Sequence, residues 1–261
     1  MTSISLTQLL IFSAVVGLVI GSFISMLSWR LPRVAELEGD EQLKSISLGG
    51  SKCPQCDEVL PWYRLIPLFS WLASGGKCHN CRSKISARYP LIEAATAIGT
   101  TLVIWQFGLT PAGYAALAFT WILITISVID IEHQLILDNL SLPLLWIGLA
   151  LNTQSVFTTP VEAIWGAIFG YLLLWIVFHS FKLLTGKEGM GYGDFKLLAA
   201  LGAWFGFIAL PQIILIAAVS SIVIGLLGVA LKLRTMQTPL AFGPFLAIGG
   251  WATLFVGPSI F

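Results

Sequence analysis

Apolar residues run through this chain in six long charge-free stretches, which short polar segments separate. The stretches cover residues 1–29, 94–129, 139–161, 163–181, 197–231 and 235–261. A helix needs about 20 apolar residues to cross the hydrocarbon core of a bilayer. Two stretches have room for a pair of helices, because Gly108, Pro111 and Gly113 interrupt one and Pro211 interrupts the other. The pattern therefore predicts an all-α polytopic membrane protein with about eight transmembrane helices.

The composition supports this class and excludes two others. Hydrophobic residues make up 57% of the chain and charged residues 10%, and the mean hydropathy is +0.88. Soluble proteins carry about 25% charged residues, so a water-soluble enzyme is excluded. A formal net charge of +1 cannot neutralise a run of phosphates, so we expect no nucleic-acid partner. The predicted partner is the lipid bilayer.

The basic residues predict the orientation of the chain in the membrane. If the N-terminus is outside, the inner segments 30–90, 130–139, 182–196 and 232–238 contain all fourteen Lys and Arg. Cytoplasmic loops collect Lys and Arg, which favours this orientation. No basic residue precedes Arg30, so we interpret the first stretch as a retained helix and not as a signal peptide.

One polar segment is much longer than the others. Residues 30–92 contain most of the charges and all four cysteines. We therefore predict three parts: a first transmembrane helix at 1–29, a cytoplasmic metal-binding domain at 30–92, and a transmembrane bundle of about seven helices at 93–261.

The cysteines form two Cys-x-x-Cys pairs, which predict a metal site. Cys53 and Cys56 make the first pair, and Cys78 and Cys81 make the second. This spacing is close to that of four-thiolate zinc sites, in which the protein supplies every ligand. Two disulfides or an iron–sulfur cluster are the alternatives, but a reducing cytoplasm disfavours disulfides. We expect a structural Zn²⁺ that folds a domain with little core of its own.

Three acidic residues lie at the predicted inner membrane boundary. Asp130 and Asp138 flank the inner end of the third helix, and Asp194 follows a glycine-rich segment that includes Gly191 and Gly193. A carboxylate at this depth is a functional candidate, although it can also mark a helix end. Glycines at 191 and 193 permit close approach of another polypeptide, such as a substrate.

Two carboxylates in one wet pocket can share a proton and hydrolyse a peptide bond, as in aspartic proteases. We hypothesise that Asp130 and Asp194 form such a pair. The helix dipole favours Asp194 as the base and Asp130 as the acid, but only by about 0.3–1 kcal/mol at each end, which does not decide the assignment.

Several blocks of the chain resemble the type IV prepilin peptidases, which are membrane aspartic proteases of the GxGD class. The similar blocks are residues 21–32 (GSFISMLSWRLP), the cysteine segment 53–81, 85–93 (ISARYPLIE), 129–134 (IDIEHQ) and 191–196 (GYGDFK). In that family the aspartates that match Asp130 and Asp194 are the catalytic pair. The chain departs from the usual family pattern at Ser25, Leu65 and Leu137.

The resemblance implies a substrate and a second activity. Members cut the short basic leader from prepilins and pseudopilins at the cytoplasmic face of the bacterial inner membrane, after a glycine. Many members then methylate the new N-terminal residue with S-adenosylmethionine, for which the sequence offers no glycine-rich nucleotide loop. By the same resemblance, Gly191, Gly193 and Lys196 are candidates for substrate binding or pocket support. Asp138, as a third carboxylate, is a further candidate, or else the N-cap of the fourth helix.

Two other classes compete with a peptidase. A transporter also uses intramembrane carboxylates, but transporters usually show internal duplication, which is not evident here. An assembly scaffold would use the metal domain to bind partners and the aspartates only to end helices.

Overall fold

The structure, a computed structural model, describes residues 5–34, 52–53, 55–187, 189–235 and 239–258. Within these ranges the chain is helical, and its only β-type pairing is a pair of isolated bridges in the cysteine segment. Residues 35–51 of the predicted cytoplasmic domain lie outside the described ranges. The predicted all-α class is confirmed for the part of the chain that the structure describes.

The chain divides into two compact units, Met1–Thr125 and Ile126–Phe261. The helices of the N-terminal unit are α1 (Leu6–Arg30), α2 (Phe69–Ala73) and α3 (Arg88–Phe107), with 3₁₀ turns at Leu31–Val34 and Trp62–Leu65. Helix α4 (Pro111–His133) runs from the first unit into the second. The C-terminal unit continues with α5 (Asp138–Asn152), α6 (Pro160–Thr185), α7 (Tyr192–Phe205), a 3₁₀ turn at Phe207–Ala209, α8 (Leu210–Ala230) and α9 (Gly243–Val256).

Each of these helices except α2 overlaps at least one charge-free stretch, although several extend beyond its ends. The first expected interruption occurs where α3 ends before Gly108 and α4 begins at Pro111. The second occurs at Gly206, whose φ of +81° ends α7, and not at Pro211. Pro211 instead lies in the first turn of α8, where a helix tolerates proline because its missing N–H has no intrahelical partner.

Among the described residues, four segments are long and apolar enough to cross a membrane. They are Leu6–Val34, Pro111–His133, Pro160–Thr185 and Phe207–Ala230. Most of the last segment is exposed in the isolated chain, as expected for a helix that faces lipid. Crossing by the remaining four predicted spans stays a prediction.

Small residues let α1 and α3 pack closely in the N-terminal unit. A Cβ added at Gly17 would lie 2.6 Å from Cα of Ala97, and one added at Gly21 would lie 2.6 Å from Cα of Glu93. At the end of this contact, Nη2 of Arg88 donates to the buried Ser28 hydroxyl at 2.6 Å. This packing fixes the start of α3 against the end of α1.

Helix α7 forms the core of the C-terminal unit, with eleven of its fourteen residues buried. Its contact with α6 brings backbone against backbone, because a Cβ added at Gly202 would lie 2.1 Å from the Gly166 carbonyl oxygen. At its start, the fully buried Phe195 packs edge-on against Phe178 and Tyr192. The position of Asp194 is therefore set by a tightly packed helix.

Candidate active site and metal centre

The two cysteine pairs of the N-terminal unit have the same backbone fold. In the first, the Cys53 N–H donates to the Glu58 carbonyl at 3.0 Å, and Asp57 has a left-handed φ of 54°. In the second, the Cys78 N–H donates to the Ser83 carbonyl at 2.9 Å, and the equivalent residue, Arg82, has a left-handed φ of 58°. Isolated bridges, Lys52 with Val59 and Lys77 with Lys84, close the two hairpins.

These hairpins bring the four sulfur atoms together. The Sγ atoms of Cys53, Cys56, Cys78 and Cys81 lie within 4.8 Å of one another, and Cys53 and Cys81 are 3.8 Å apart. A tetrahedral ion with metal–sulfur bonds of about 2.3 Å needs sulfur separations of roughly 3.8 Å, so the donor set fits one metal ion. The backbone N–H of Gln55 lowers the pKa of the Cys53 thiol to about 6, which favours the thiolate that binds metals.

Asp130 lies near the end of α4 and is 5% exposed. The helix ends three residues later, and Gln134 then takes a left-handed φ of 52° while its N–H donates to the Asp130 carbonyl at 2.8 Å. The Asp130 side chain accepts one hydrogen bond, from the backbone N–H of Gly243 to Oδ2 at 2.9 Å. Gly243 is the first residue of α9.

Asp194 is the third residue of α7 and is 6% exposed. The N-cap of this helix is Gly191, so Asp194 lies inside the first turn of the helix. Gly191 lies beside the carboxyl, since a Cβ added there would be 3.6 Å from Oδ2. The other oxygen, Oδ1, is buried and has no hydrogen-bond partner among the described residues.

One apolar side chain connects the surroundings of the two aspartates. A Cβ added at Gly193 would lie 2.6 Å from Cβ of Ile136, and one added at Gly243 would lie 3.0 Å from Cδ1 of the same isoleucine. The first glycine precedes Asp194 and the second binds Asp130. The structure thus places one neighbour of each aspartate against the same side chain. It therefore brings these two predicted residues together, although 63 positions separate them in the sequence.

Asp138 and Lys196 form an ion pair in the same unit. The Lys196 ammonium donates to both carboxylate oxygens of Asp138, at 2.6 and 2.7 Å. Asp138 lies in the first turn of α5, whose N-cap is Leu137 without a side-chain bond. The pair thus ties the start of α5 to the start of α7.

Sequence reasoning missed two residues of this site, Gly243 and Ile136. Neither carries a titratable group, and each matters through its position: the glycine through its backbone N–H, the isoleucine through its shape. The Gly243-Pro244 pair opens a helix after a polar break, and this local signal marks a helix start without indicating which carboxyl it reaches.

A helical membrane protein with two buried carboxyls and a four-cysteine cluster has the groups of a membrane aspartic peptidase. Comparisons with known proteins agree with this class. The Bacterial Peptidase A24 N-terminal domain matches residues 15–107, and the Type IV leader peptidase family matches residues 117–226. The chain belongs to the type IV leader peptidase family.

Curated relatives cover almost the whole chain. The prepilin leader peptidase/N-methyltransferase of Stutzerimonas stutzeri is 44% identical over 94% of this chain and 90% of its own length. The proteins of that name from Pseudomonas aeruginosa and Aeromonas salmonicida are 46% and 42% identical, each over 94% of this chain and 89% of its own length. No solved structure matches the chain.

Proposed function

We propose that this protein cleaves the leader from prepilins and pilin-like secretion subunits and N-methylates the new N-terminal residue. The observation that carries the peptidase half is the pair of buried carboxyls, Asp130 and Asp194, whose neighbours Gly243 and Gly193 pack against the same isoleucine side chain. The relatives that match almost the whole chain are named for both activities, leader peptidase and N-methyltransferase. Family membership also favours a peptidase over a transporter.

In the proposed reaction the two carboxyls act as an aspartic dyad. One carboxylate takes a proton from a water molecule as the water oxygen attacks the scissile carbonyl carbon. The protonated partner gives its proton to the carbonyl oxygen. Collapse of the tetrahedral intermediate then breaks the C–N bond, and the leaving nitrogen receives the proton that the first carboxylate took.

The predicted topology suits a prepilin. A basic leader stays in the cytoplasm while the apolar pilin helix lies in the bilayer, so the cut bond falls near the inner interface. Basic residues on the inner segments support an N-terminus in the periplasm and a site that faces the cytoplasm in a bacterial inner membrane. Asp138, Lys196, Gly191 and Gly193 would line or support the substrate cleft.

The metal centre has a separate role in this proposal. Cys53, Cys56, Cys78 and Cys81 would hold one Zn²⁺, and a four-thiolate zinc ion stabilises protein structure without an open position for catalysis. S-adenosylmethionine would supply the methyl group. The methyltransferase half is supported by the names of the relatives, and we assign no described residue to the methyl donor.

Purified protein in lipid vesicles, incubated with a prepilin whose basic leader ends in glycine, tests the proposal. We expect mass spectrometry to show loss of the leader, and addition of a methyl mass when S-adenosylmethionine is present. Asp130→Asn and Asp194→Asn should each abolish leader loss, because an amide neither accepts nor gives the transferred proton. Full cleavage by either variant would refute the dyad.

Glu132→Gln is the matched control. It replaces an exposed carboxylate by an amide at the same end of α4, two residues from Asp130. We expect this variant to cleave normally. If it lost activity as completely as Asp130→Asn, general disruption of the helix end would explain both results.

A further inference from the structure

The two carboxyls of the proposed dyad have different surroundings. Oδ2 of Asp130 accepts a buried hydrogen bond from the Gly243 N–H. Oδ1 of Asp194 is buried without a donor in the described part of the chain. Hydrogen bonds to an oxygen stabilise the ionised form, and an ionised oxygen buried without a donor is costly. The shared proton should therefore sit on one particular aspartate.

Gly243 is held where only a glycine fits. It begins α9, so its N–H is one of the first-turn donors that have no partner inside the helix. The positive end of the helix dipole points at the same oxygen. A Cβ added at Gly243 would lie 2.6 Å from Oδ2 of Asp130, so even an alanine would force the carboxyl to move.

Other charged side chains of the C-terminal unit do not reverse this difference. Glu132 and His133, at the end of α4, are exposed, and Asp138 and Lys196, at the starts of α5 and α7, neutralise each other as an ion pair. Helix α9 contains no charged residue. The backbone of Gly191 lies beside Oδ2 of Asp194, so the two carboxyls differ most at Oδ1 of Asp194, which is buried without a donor among the described residues.

We propose that Asp130 is the ionised base, held by the Gly243 amide, and that Asp194 carries the proton on Oδ1 and acts as the acid. Gly243 is then a positioning residue for the base. This assignment rests on the proposed function and reverses the one that the helix dipole alone favours. The dipole of α7 is outweighed because no donor reaches Oδ1 of Asp194, whereas a first-turn N–H of α9 reaches Asp130.

The assignment fixes the direction of each proton transfer. The Asp130 carboxylate takes a proton from water, and the water oxygen bonds to the scissile carbonyl carbon. Asp194 gives its Oδ1 proton to the carbonyl oxygen. When the C–N bond breaks, Asp130 passes its proton to the leaving nitrogen, and the hydroxyl of the intermediate returns a proton to Asp194.

Infrared spectroscopy of protein labelled with ¹³C in the aspartate side chains tests the proton's location without changing a glycine. Near neutral pH we expect a label-sensitive C=O band of a protonated carboxyl in the wild type. Asp194→Asn should remove this band and Asp130→Asn should keep it. The opposite pattern, or loss of the band in both variants, would overturn the assignment. The label excludes the buried Glu93 from the signal.

Kinetics of Gly243→Ala test the positioning role. A displacement of a catalytic group by about 1 Å can cost about 10²-fold in rate, so we expect kcat/KM for leader cleavage to fall by about that factor. The acidic limb of the pH–rate profile should also move to higher pH, because the ionised base loses its donor. A uniform fall at every pH would indicate structural damage only and would overturn the positioning role.

Gly225→Ala is the matched control, since a Cβ there meets nothing closer than 3.8 Å and the residue lies inside α8. It should leave both kcat/KM and the position of the acidic limb of the pH–rate profile unchanged.

The positioning role of Gly243 and the proposed function can fail separately. If the wild type cleaves a prepilin but the acidic limb of the pH–rate profile is at the same pH in Gly243→Ala, only the positioning role fails. If the wild type cleaves no prepilin, the proposed function fails first.

Discussion

The cysteine cluster of the N-terminal unit and the carboxyl pair of the C-terminal unit are assembled in opposite ways. Each cysteine pair is made by one short hairpin, and its hydrogen bonds span five residues. Asp130 and Asp194 instead belong to two helices, and they are brought together by packing around Ile136 and Gly243. The first site brings four thiols together, and the second leaves Oδ1 of Asp194 without a donor in the part of the chain that the structure describes.

The difference shows what each site depends on. A cluster of local hairpins with little apolar core would depend on the metal ion that its four thiols fit, because binding free energy is then folding free energy. A pair held by helix packing depends on close contact between backbones and does not need the metal. The following predictions test this separation, from the largest expected effect to the smallest.

Removal of the metal should unfold the cysteine segment. Structural zinc sites contribute about 10–16 kcal/mol of apparent binding free energy, which the hairpins cannot replace. We expect chelation to expose residues 52–86 to limited proteolysis and to reduce activity, while the helices of the C-terminal unit stay protected. Metal content, proteolysis and cleavage should be measured on the same sample.

His79→Ala is the control for the metal experiment, because His79 lies between the ligands but four thiols already complete the site. It should keep the metal. Unchanged activity after confirmed metal loss would contradict a required structural zinc.

Gly202→Ala should destabilise the C-terminal unit and spare the cysteine segment. Its Cβ would lie 2.1 Å from the Gly166 carbonyl oxygen, so α6 and α7 must separate. Overpacking of this kind costs about 1–3 kcal/mol, and a backbone clash is at the upper end. The thermal midpoint in detergent should fall relative to Gly225→Ala, with the metal content unchanged. Equal midpoints for the two variants would contradict the close contact.

Glu93→Ala should weaken the attachment of the cysteine segment to α3. The buried Glu93 carboxylate accepts the Leu68 N–H at 2.8 Å, and loss of the acceptor leaves that donor unsatisfied at a cost of about 1–3 kcal/mol. We expect faster proteolysis near residue 68. Glu93→Gln keeps a carbonyl oxygen in place and should behave more like the wild type. Identical proteolysis of all three proteins would exclude this role.

The Asp138–Lys196 pair should contribute least to stability. Both side chains are partly exposed, and exposed ion pairs contribute about 0.2–1 kcal/mol. A double-mutant cycle with Asp138→Ala and Lys196→Ala should therefore give a coupling free energy in that range and one that decreases with salt. A much larger value would show that the pair is shielded from solvent.

Much of this fold follows from the sequence because lipid imposes simple rules. Charge-free stretches predicted the places of eight helices, since few other backbones satisfy their hydrogen bonds in a bilayer. The cysteine spacing predicted a cluster, because each pair needs only one tight turn. Pro211 was a poorer guide to the break between α7 and α8, since proline is as compatible with a helix start as with a helix end.

The site was less predictable than the fold. Asp130 and Asp194 stood out as acids near apolar stretches, but their environments depend on contacts that no local pattern encodes. Gly243 is one of 25 glycines, and only the packing of α9 shows that its N–H faces Asp130. The dipole argument considered each helix alone, so it did not include the Gly243 N–H.

The repeated hairpin of the cysteine segment has a consequence for biosynthesis. Its second copy leaves the ribosome 25 residues after the first, so a nascent chain that has made Cys53 and Cys56 can offer an ion only half of its coordination sphere. Binding of the ion by four thiolates requires Cys78 and Cys81. By the time these are made, α1 is already available for insertion. The order of synthesis thus makes α1 available for insertion before the fourth thiol is made.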